Sequence, residues 1–168
     1  MSSAVSFKAY YNADLDVIPD SNLPCVSVVK NSDQTANGPT GLQRVTEELV
    51  VKIILNKADD WTATTDEVDL TEKKIRDMVE ARDPNAGTYL PATLKHALLK
   101  RLTVDGLELN QAMAFELGVL PRSEELVTQE GHLTLTATYL VMNPRRSRAY
   151  GKPRVVCRWS FRCLRAHP

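Results

Sequence analysis

Between Leu133 and Val141 the sequence alternates with a period of two: Leu133, Leu135, Ala137, Tyr139 and Val141 stand against Thr134, Thr136 and Thr138. Successive side chains of a strand point to opposite faces, so this pattern places an apolar row on one side and β-branched hydroxyls on the other, as in a half-buried antiparallel strand. Arg44 to Asn56 reads the same way, with Val45, Leu49, Val51, Ile53 and Leu55 on one face and Thr46, Glu48 and Lys52 on the other. Ala112 to Leu120 alternates Met113, Phe115, Leu117 and Val119 with Ala114, Glu116 and Gly118, and Pro121 ends it. Leu23 to Val29 is a short β-branched run with Pro24 near its start. A chain with four such segments must build a sheet.

Two amphipathic segments lie between the second and third of these strands. Asp69 followed three residues later by Glu72 resembles a capping box, and Ile75, Met78 and Val79 then line one side of a helix ending before Asp83-Pro84. A second helix is expected with Pro91 in its first turn and Leu94, Leu98 and Arg101 at helical spacing. Met1 to Asn22 reads as an irregular arm with a short strand around Val5 to Tyr10, and Asn31 to Gly41, with Asn37, Gly38, Pro39 and Gly41, as a long exposed hairpin loop. The fold class expected is α+β: an antiparallel four-stranded sheet with a helical crossover packed on one face, plus a C-terminal strand-like extension. The organisation expected is an N-terminal arm (1–22), an α+β core domain (23–143) and a basic extension (144–168), one domain in all at 168 residues and 43% hydrophobic content.

Net charge is zero, but it is unevenly placed. Every charged residue from Arg145 onward is basic: Arg145, Arg146, Arg148, Lys152, Arg154, Arg158, Arg162 and Arg165, eight of the 21 basic residues. The remaining 13 face all 21 acidic residues, so the tail carries +8 and the rest of the chain −8. Such polarity suits head-to-tail contact between copies, or contact with nucleic acid. Within the tail, Val155, Cys157, Trp159, Phe161 and Cys163 alternate with Arg158, Ser160 and Arg162, and a strand of that kind either completes the chain's own sheet or adds to a neighbour's. Its apolar runs are too short to cross a bilayer, and Met1 to Tyr11 lacks the pattern of a secretory signal, so folding in the cytoplasm without membrane contact is expected. Cys25, Cys157 and Cys163 are odd in number and lack zinc spacing, which reads as free thiols.

The chemistry-bearing patterns are missing. No Gly-rich phosphate loop or dinucleotide fingerprint occurs, and no Gly-x-Ser-x-Gly elbow. His96, His132 and His167 have no second ligand at metal spacing, and the pairs Glu47/Glu48, Asp59/Asp60 and Glu124/Glu125 read as solvated carboxylates. No catalytic, cofactor-binding or metal residue is therefore assigned, and no enzyme is expected. Candidate partner-binding residues are Asn37, Gly38 and Thr40 in the long loop, Trp61 after the second strand, and Arg145, Arg146, Arg148, Arg158, Trp159, Phe161 and Arg162 in the tail. Trp61 reads equally as an exposed anchor or a core-edge residue. An alternative is a small nucleic-acid-binding module in which Trp159 and Phe161 stack on bases beside Arg158 and Arg162, although these pairs lie on opposite strand faces.

Val17-Ile18-Pro19-Asp20-Ser21-Asn22-Leu23-Pro24-Cys25-Val26-Ser27-Val28 resembles the acidic turn, Leu/Phe-Pro and alternating strand of the tail terminator and tail-completion (neck) proteins of long-tailed bacteriophages. Gly131 to Val141 is similar to that family's closing strand, and Asp69 to Leu102 to its helical crossover. The resemblance covers Val17 to Val141; the family's leading helix has no counterpart in Met1 to Asp16, nor has the tail from Arg145 a counterpart in the family. It implies a structural virion protein of the tail or neck, assembled in the host cytoplasm: a homo-oligomeric ring, typically a hexamer, that ends tail-tube polymerisation and performs head-tail joining. Its partners would be itself, the tail tube protein and the head-tail connector or other neck proteins, with non-specific DNA contact if Arg145, Arg146 and Arg148 line the lumen.

Overall fold

The computed structural model describes residues 5–38, 42–62, 70–104 and 106–142. Three long strands form its spine: β2 (Cys25–Asn37), β3 (Leu42–Asn56) and β7 (Val127–Met142). β3 lies in the middle, antiparallel to β2 on one side and to β7 on the other, and its fifteen residues are paired to β7 from Leu42↔Met142 to Asn56↔Thr128. β1 (Ala9–Tyr11) adds to the outer side of β2, and it runs parallel to it.

The far edge of β7 is shared by two strands in tandem. β6 (Ala114–Pro121) covers Val127 to Thr134, and β5 (Leu107–Leu109) covers Ala137 to Tyr139. Leu109 opposes Ala137 and Ala114 opposes Thr134, so five residues advance on one side against three on the other. The two extra residues form an irregularity of β-bulge type that separates β5 from β6. β4 (Thr103–Val104) pairs outside β5 through a tight connection in which Gly106 takes φ 83°, a left-handed value that glycine adopts without strain.

The expected fold class needs correction. Of the described residues 49% are in strands and 18% in helices, and the sheet is mixed: six strands lie on one path, with β6 joined to β7 beside it. It is not an antiparallel four-stranded sheet with a helical crossover. β4 and β5 are two and three residues long, too short for any period to register, and the short strand expected around Val5 to Tyr10 is found at Ala9–Tyr11, joined to the sheet by parallel pairing to β2. The long loop expected from Asn31 to Gly41 is also revised, because β2 continues as strand to Asn37. Those residues are exposed on both faces and bury nothing. The backbone groups on their inner edge pair with β3, which β7 holds extended from the other side.

Helices α1 (Asp59–Thr62), α2 (Thr71–Glu80) and α3 (Leu94–Leu99) intervene between β3 and β4. Ile75 and Val79 of α2 are fully buried against Ile53 and Leu55 of β3 and Leu133 of β7, with Phe115 and Leu117 of β6 and Leu94 and Leu98 of α3 packed around them. This close approach depends on Gly131. A Cβ there would overlap the Ile75 side chain and stand 3.1 Å from the Phe115 ring. Of the expected capping pair, Asp69 lies outside the described residues; at the start of α2 Asp60 accepts from the Thr71 amide at 2.6 Å and from its hydroxyl at 3.0 Å, placing a carboxylate at the positive end of the helix.

The opposite face of the sheet carries a second cluster of Ile18, Leu23, Cys25 and Ile54, with Ala9, Tyr11, Leu15 and Leu126 against it. The N-terminal arm supplies most of this cover. It is pinned by Ser27 Oγ donating to the Ala13 carbonyl (2.5 Å), Lys52 Nζ to Asp14 (2.7 Å) and Asn56 Nδ2 to Asp20 (2.7 Å). β3 is thus buried on both faces near its C-terminal end, where Ile53, Ile54 and Leu55 are each less than 5% exposed.

Gly131→Ala is expected to lower the free energy of unfolding in urea by about 1–3 kcal/mol, the usual cost of overpacking. Gly118→Ala, whose added methyl meets nothing within 4 Å, should change it by less than about 1 kcal/mol.

Candidate interaction surfaces

The most heavily bonded charge in the described structure is Glu130, at the centre of β7 on the arm-side face and fully buried. Arg122, from the turn before β7, donates Nε at 2.8 Å and Nη2 at 2.6 Å to Glu130 Oε1, and Thr128 Oγ1 donates to the same oxygen at 2.9 Å. His132 Nε2 lies 2.9 Å from the other oxygen. Arg122 Nη1 donates at 2.9 Å to the Leu15 carbonyl of the arm, so a single guanidinium ties the arm, the β6–β7 turn and the sheet together. Burial alone would raise the Glu130 carboxyl, but the bonds from His132, Arg122 and Thr128 outweigh it and hold the group down at about 2. Burial, aided by the Glu130 charge, pushes the neighbouring Cys25 thiol up to about 11. A carboxylate with every oxygen occupied and a thiol kept protonated are structural groups.

Sequence reasoning missed this network. Glu130 and His132 flank Gly131 in an alternating strand and look like solvated positions, and Arg122 sits in a turn where an exposed arginine would be ordinary. Only the arm, a hundred residues earlier in the chain, encloses them.

A second polar group lies on the helix-side face toward the hairpin tip. Lys30 Nζ is 2.9 Å from Asp33 and 2.8 Å from Glu47, and Tyr139 donates to Glu47 at 2.8 Å. The bonds to Glu47 and Asp33 raise the Lys30 ammonium, and burial followed by the bond to Glu47 raises the Tyr139 hydroxyl. In α3, Lys95 is buried and paired with Glu80 at 2.8 Å, its ammonium 5.6 Å from the Phe115 ring. Among the described residues no group of three or more His, Cys, Asp or Glu side chains is placed to hold a metal ion. Two open grooves are present. One, at the irregularity between β5 and β6, is lined by Met113, Thr134, Leu135 and Thr136 and lacks titratable groups; the other, lined by Asp20, Asn56, Ser123 and Glu125, holds two carboxylates without an adjacent base.

The residues assigned to partners fall in three places. Asn37 and Gly38 close the β2–β3 hairpin, where the Gly38 amide donates to the Leu42 carbonyl at 2.8 Å; Thr40 lies outside the described residues. Trp61, in α1, is 76% exposed, so its alternatives resolve to the exposed one. These positions lie beyond opposite ends of β3, whose fifteen residues extend over about 50 Å, so they do not form one surface. Arg145, Arg146, Arg148, Arg158, Trp159, Phe161 and Arg162 lie outside the described residues.

The sheet edges form further surfaces. β1 covers β2 only from Cys25 to Ser27, which leaves the outer edge of Val28 to Asn37 without a strand partner among the described residues. On the other side, β6 pairs with β7 alone, and its outer edge is likewise open. Val119 (52% exposed) and Leu120 (39%) stand on that open strand. No helix among the described residues is long and apolar enough to cross a membrane. No protein-family model matches this sequence, and no curated protein matches it either.

Because the folded-state value of Glu130 lies below its ordinary 4.5, its contribution is fully present above about pH 4.5 and is lost as pH falls toward 2. Urea unfolding between pH 6 and pH 2 should show roughly 3 kcal/mol disappearing over that window. Glu130→Gln should flatten the pH response there and cost about 3–5 kcal/mol at neutral pH, because Arg122 is left buried and unpaired.

Proposed function

We propose that this chain is a structural subunit of a tailed bacteriophage virion that closes into a ring at the head-proximal end of the tail tube, ends tube polymerisation and joins the tail to the head connector. The observation that supports this reading best is the pair of open sheet edges on opposite sides of the molecule, β2 from Val28 to Asn37 and β6 from Ala114 to Pro121. Two different surfaces on opposite sides make a heterologous contact. Repeated contact of that kind closes into a ring when its rotation divides the circle.

The charge distribution supports the same arrangement, since a +8 tail and a −8 remainder attract between copies placed head to tail. Edge strands of this length are a liability in an isolated subunit, and the charged and polar residues Lys30, Asn31, Asp33 and Gln34 on β2 are of the kind that keeps an edge soluble before assembly. The role is mechanical: the most heavily bonded carboxylate among the described residues, Glu130, helps hold the arm to the sheet through Arg122. Trp61, exposed beside the N-terminus of α2, is assigned to contact with the tube or connector protein.

Native mass spectrometry and negative-stain imaging of the purified full chain at rising concentration test the proposal. A closed ring of about six copies is expected, and removal of residues 145–168 should return it to monomers. Trp61→Ala should leave the unfolding free energy within about 0.5 kcal/mol and weaken binding to tail tubes. A chain that stays monomeric both alone and in the presence of tail tubes overturns the reading.

A further inference from the structure

The N-terminal arm grips the sheet from both sides of one edge. Val5 and Phe7 pack at the rim of the helix-side core, β1 pairs with the edge of β2, and Tyr11, Leu15 and Ile18 lie against the opposite face. The chain therefore passes around that edge before the helical turn Asp20–Asn22 leads it through Leu23 into β2. Its backbone pairing to the sheet is brief, consisting of the three residues of β1 and the Lys8 amide, which donates to the Pro24 carbonyl at 2.8 Å. Past β1 the arm is held by side chains that reach it from below: Ser27 to the Ala13 carbonyl, Lys52 to the Asp14 carboxylate and Arg122 to the Leu15 carbonyl.

The rest of the sheet does not depend on this cover. β2, β3, β7 and β6 form a continuous ladder without the arm, and the helices close the core around Ile75, Val79 and Leu133, to which Val5 and Phe7 are half-buried additions. Segments tied to a structure by few backbone bonds and a small apolar contact open at a lower free energy than the whole.

What lies beneath the arm lowers that free energy further. Cys25 and Ile54 are covered there, but so is the ion pair of Arg122 and Glu130. Lifting the arm exposes apolar surface, which opposes opening, and at the same time admits water to two charges whose burial carries a desolvation penalty. The second effect offsets part of the first. An apolar pair at these two positions would give both effects the same sign and bind the arm into the core.

We propose that residues 5–18 form a strap that opens and closes on the folded sheet, hinged at Asp20–Asn22, with Arg122 as its catch. Closed, the strap covers Cys25 and occupies the edge of β2 from Cys25 to Ser27. Open, it uncovers that thiol and lengthens the free edge from Val28–Asn37 to all thirteen residues of β2. The strap thus sets how much of this edge a subunit offers to a neighbouring strand. It is a property of the single subunit and does not rest on the ring reading above.

The experiment uses the full chain carrying Cys157→Ser and Cys163→Ser, which leaves Cys25 as its one thiol. The rate of Cys25 labelling by dithiobis(nitrobenzoate) is followed at rising urea concentration below the unfolding transition, and global unfolding of the same protein is followed by circular dichroism. Labelling is expected to run at least about tenfold faster than global unfolding allows, with less than about half its dependence on urea. Asp14→Ala with Leu15→Ala, both within the strap, should speed labelling about tenfold. Leu98→Ala, which weakens only the helix-side core, should lower global stability and leave the labelling rate within about twofold. Labelling that matches global unfolding in rate and urea dependence overturns the proposal, because Cys25 is then reached only when the sheet itself comes apart. Labelling unchanged by the strap substitutions, or raised as much by Leu98→Ala, overturns it as well.

Discussion

The antiparallel ladder between β3 and β7 carries the rest of the molecule. It pairs every residue from Leu42 to Asn56, and each other element is attached to one of its edges or faces. β2 is held by the free side of β3, β5 and β6 share the free side of β7, the helices pack on one face together with Val5 and Phe7, and the later part of the N-terminal arm covers the other. Because both strands are saturated on both edges for much of their length, they stay extended even where they bury little. This is why β2 remains a strand out to Asn37 through residues with no apolar face.

The two faces solve different problems. On the helix side the contact is apolar and close, and Gly131 permits it by having no side chain under Ile75. On the arm side a short stretch of irregular chain covers the sheet, and irregular chain brings backbone carbonyls that need donors. Arg122 resolves that by reaching the Leu15 carbonyl while neutralising Glu130, so the buried charge pair holds the arm at the sheet. A hydrophobic pair in its place would cover the surface but leave that carbonyl unbonded.

Much of the central sheet was legible. Periods of two marked the segments that became β3, β6 and β7, since successive side chains point to opposite faces, and in parts of β6 and β7 one face is more buried than the other. The ends of the strands, the short strands β4 and β5, and the parallel pairing of β1, whose short strand the sequence placed around Val5 to Tyr10, left no such trace, because they depend on a neighbour's backbone rather than on their own side chains. For the surfaces, the sequence left Trp61 open between an exposed and a core-edge position until its surroundings were known, and Asn37 and Gly38 proved to be a hairpin end far from it. Arg122 and Glu130 were invisible because their partners come from three separate stretches of chain.

The sequence by itself determined that this chain builds a sheet, that one helix lays Ile75 and Val79 on it, that no known nucleotide or serine-hydrolase motif is present, and that its basic charge gathers after Arg145. These follow from side-chain periodicity and composition, which are local. Only the tertiary structure decided how many strands join, which edges stay open, and that Glu130 is enclosed and bonded. Pairing and enclosure are contributed by residues distant in the chain, and no local pattern encodes what a distant backbone will cover.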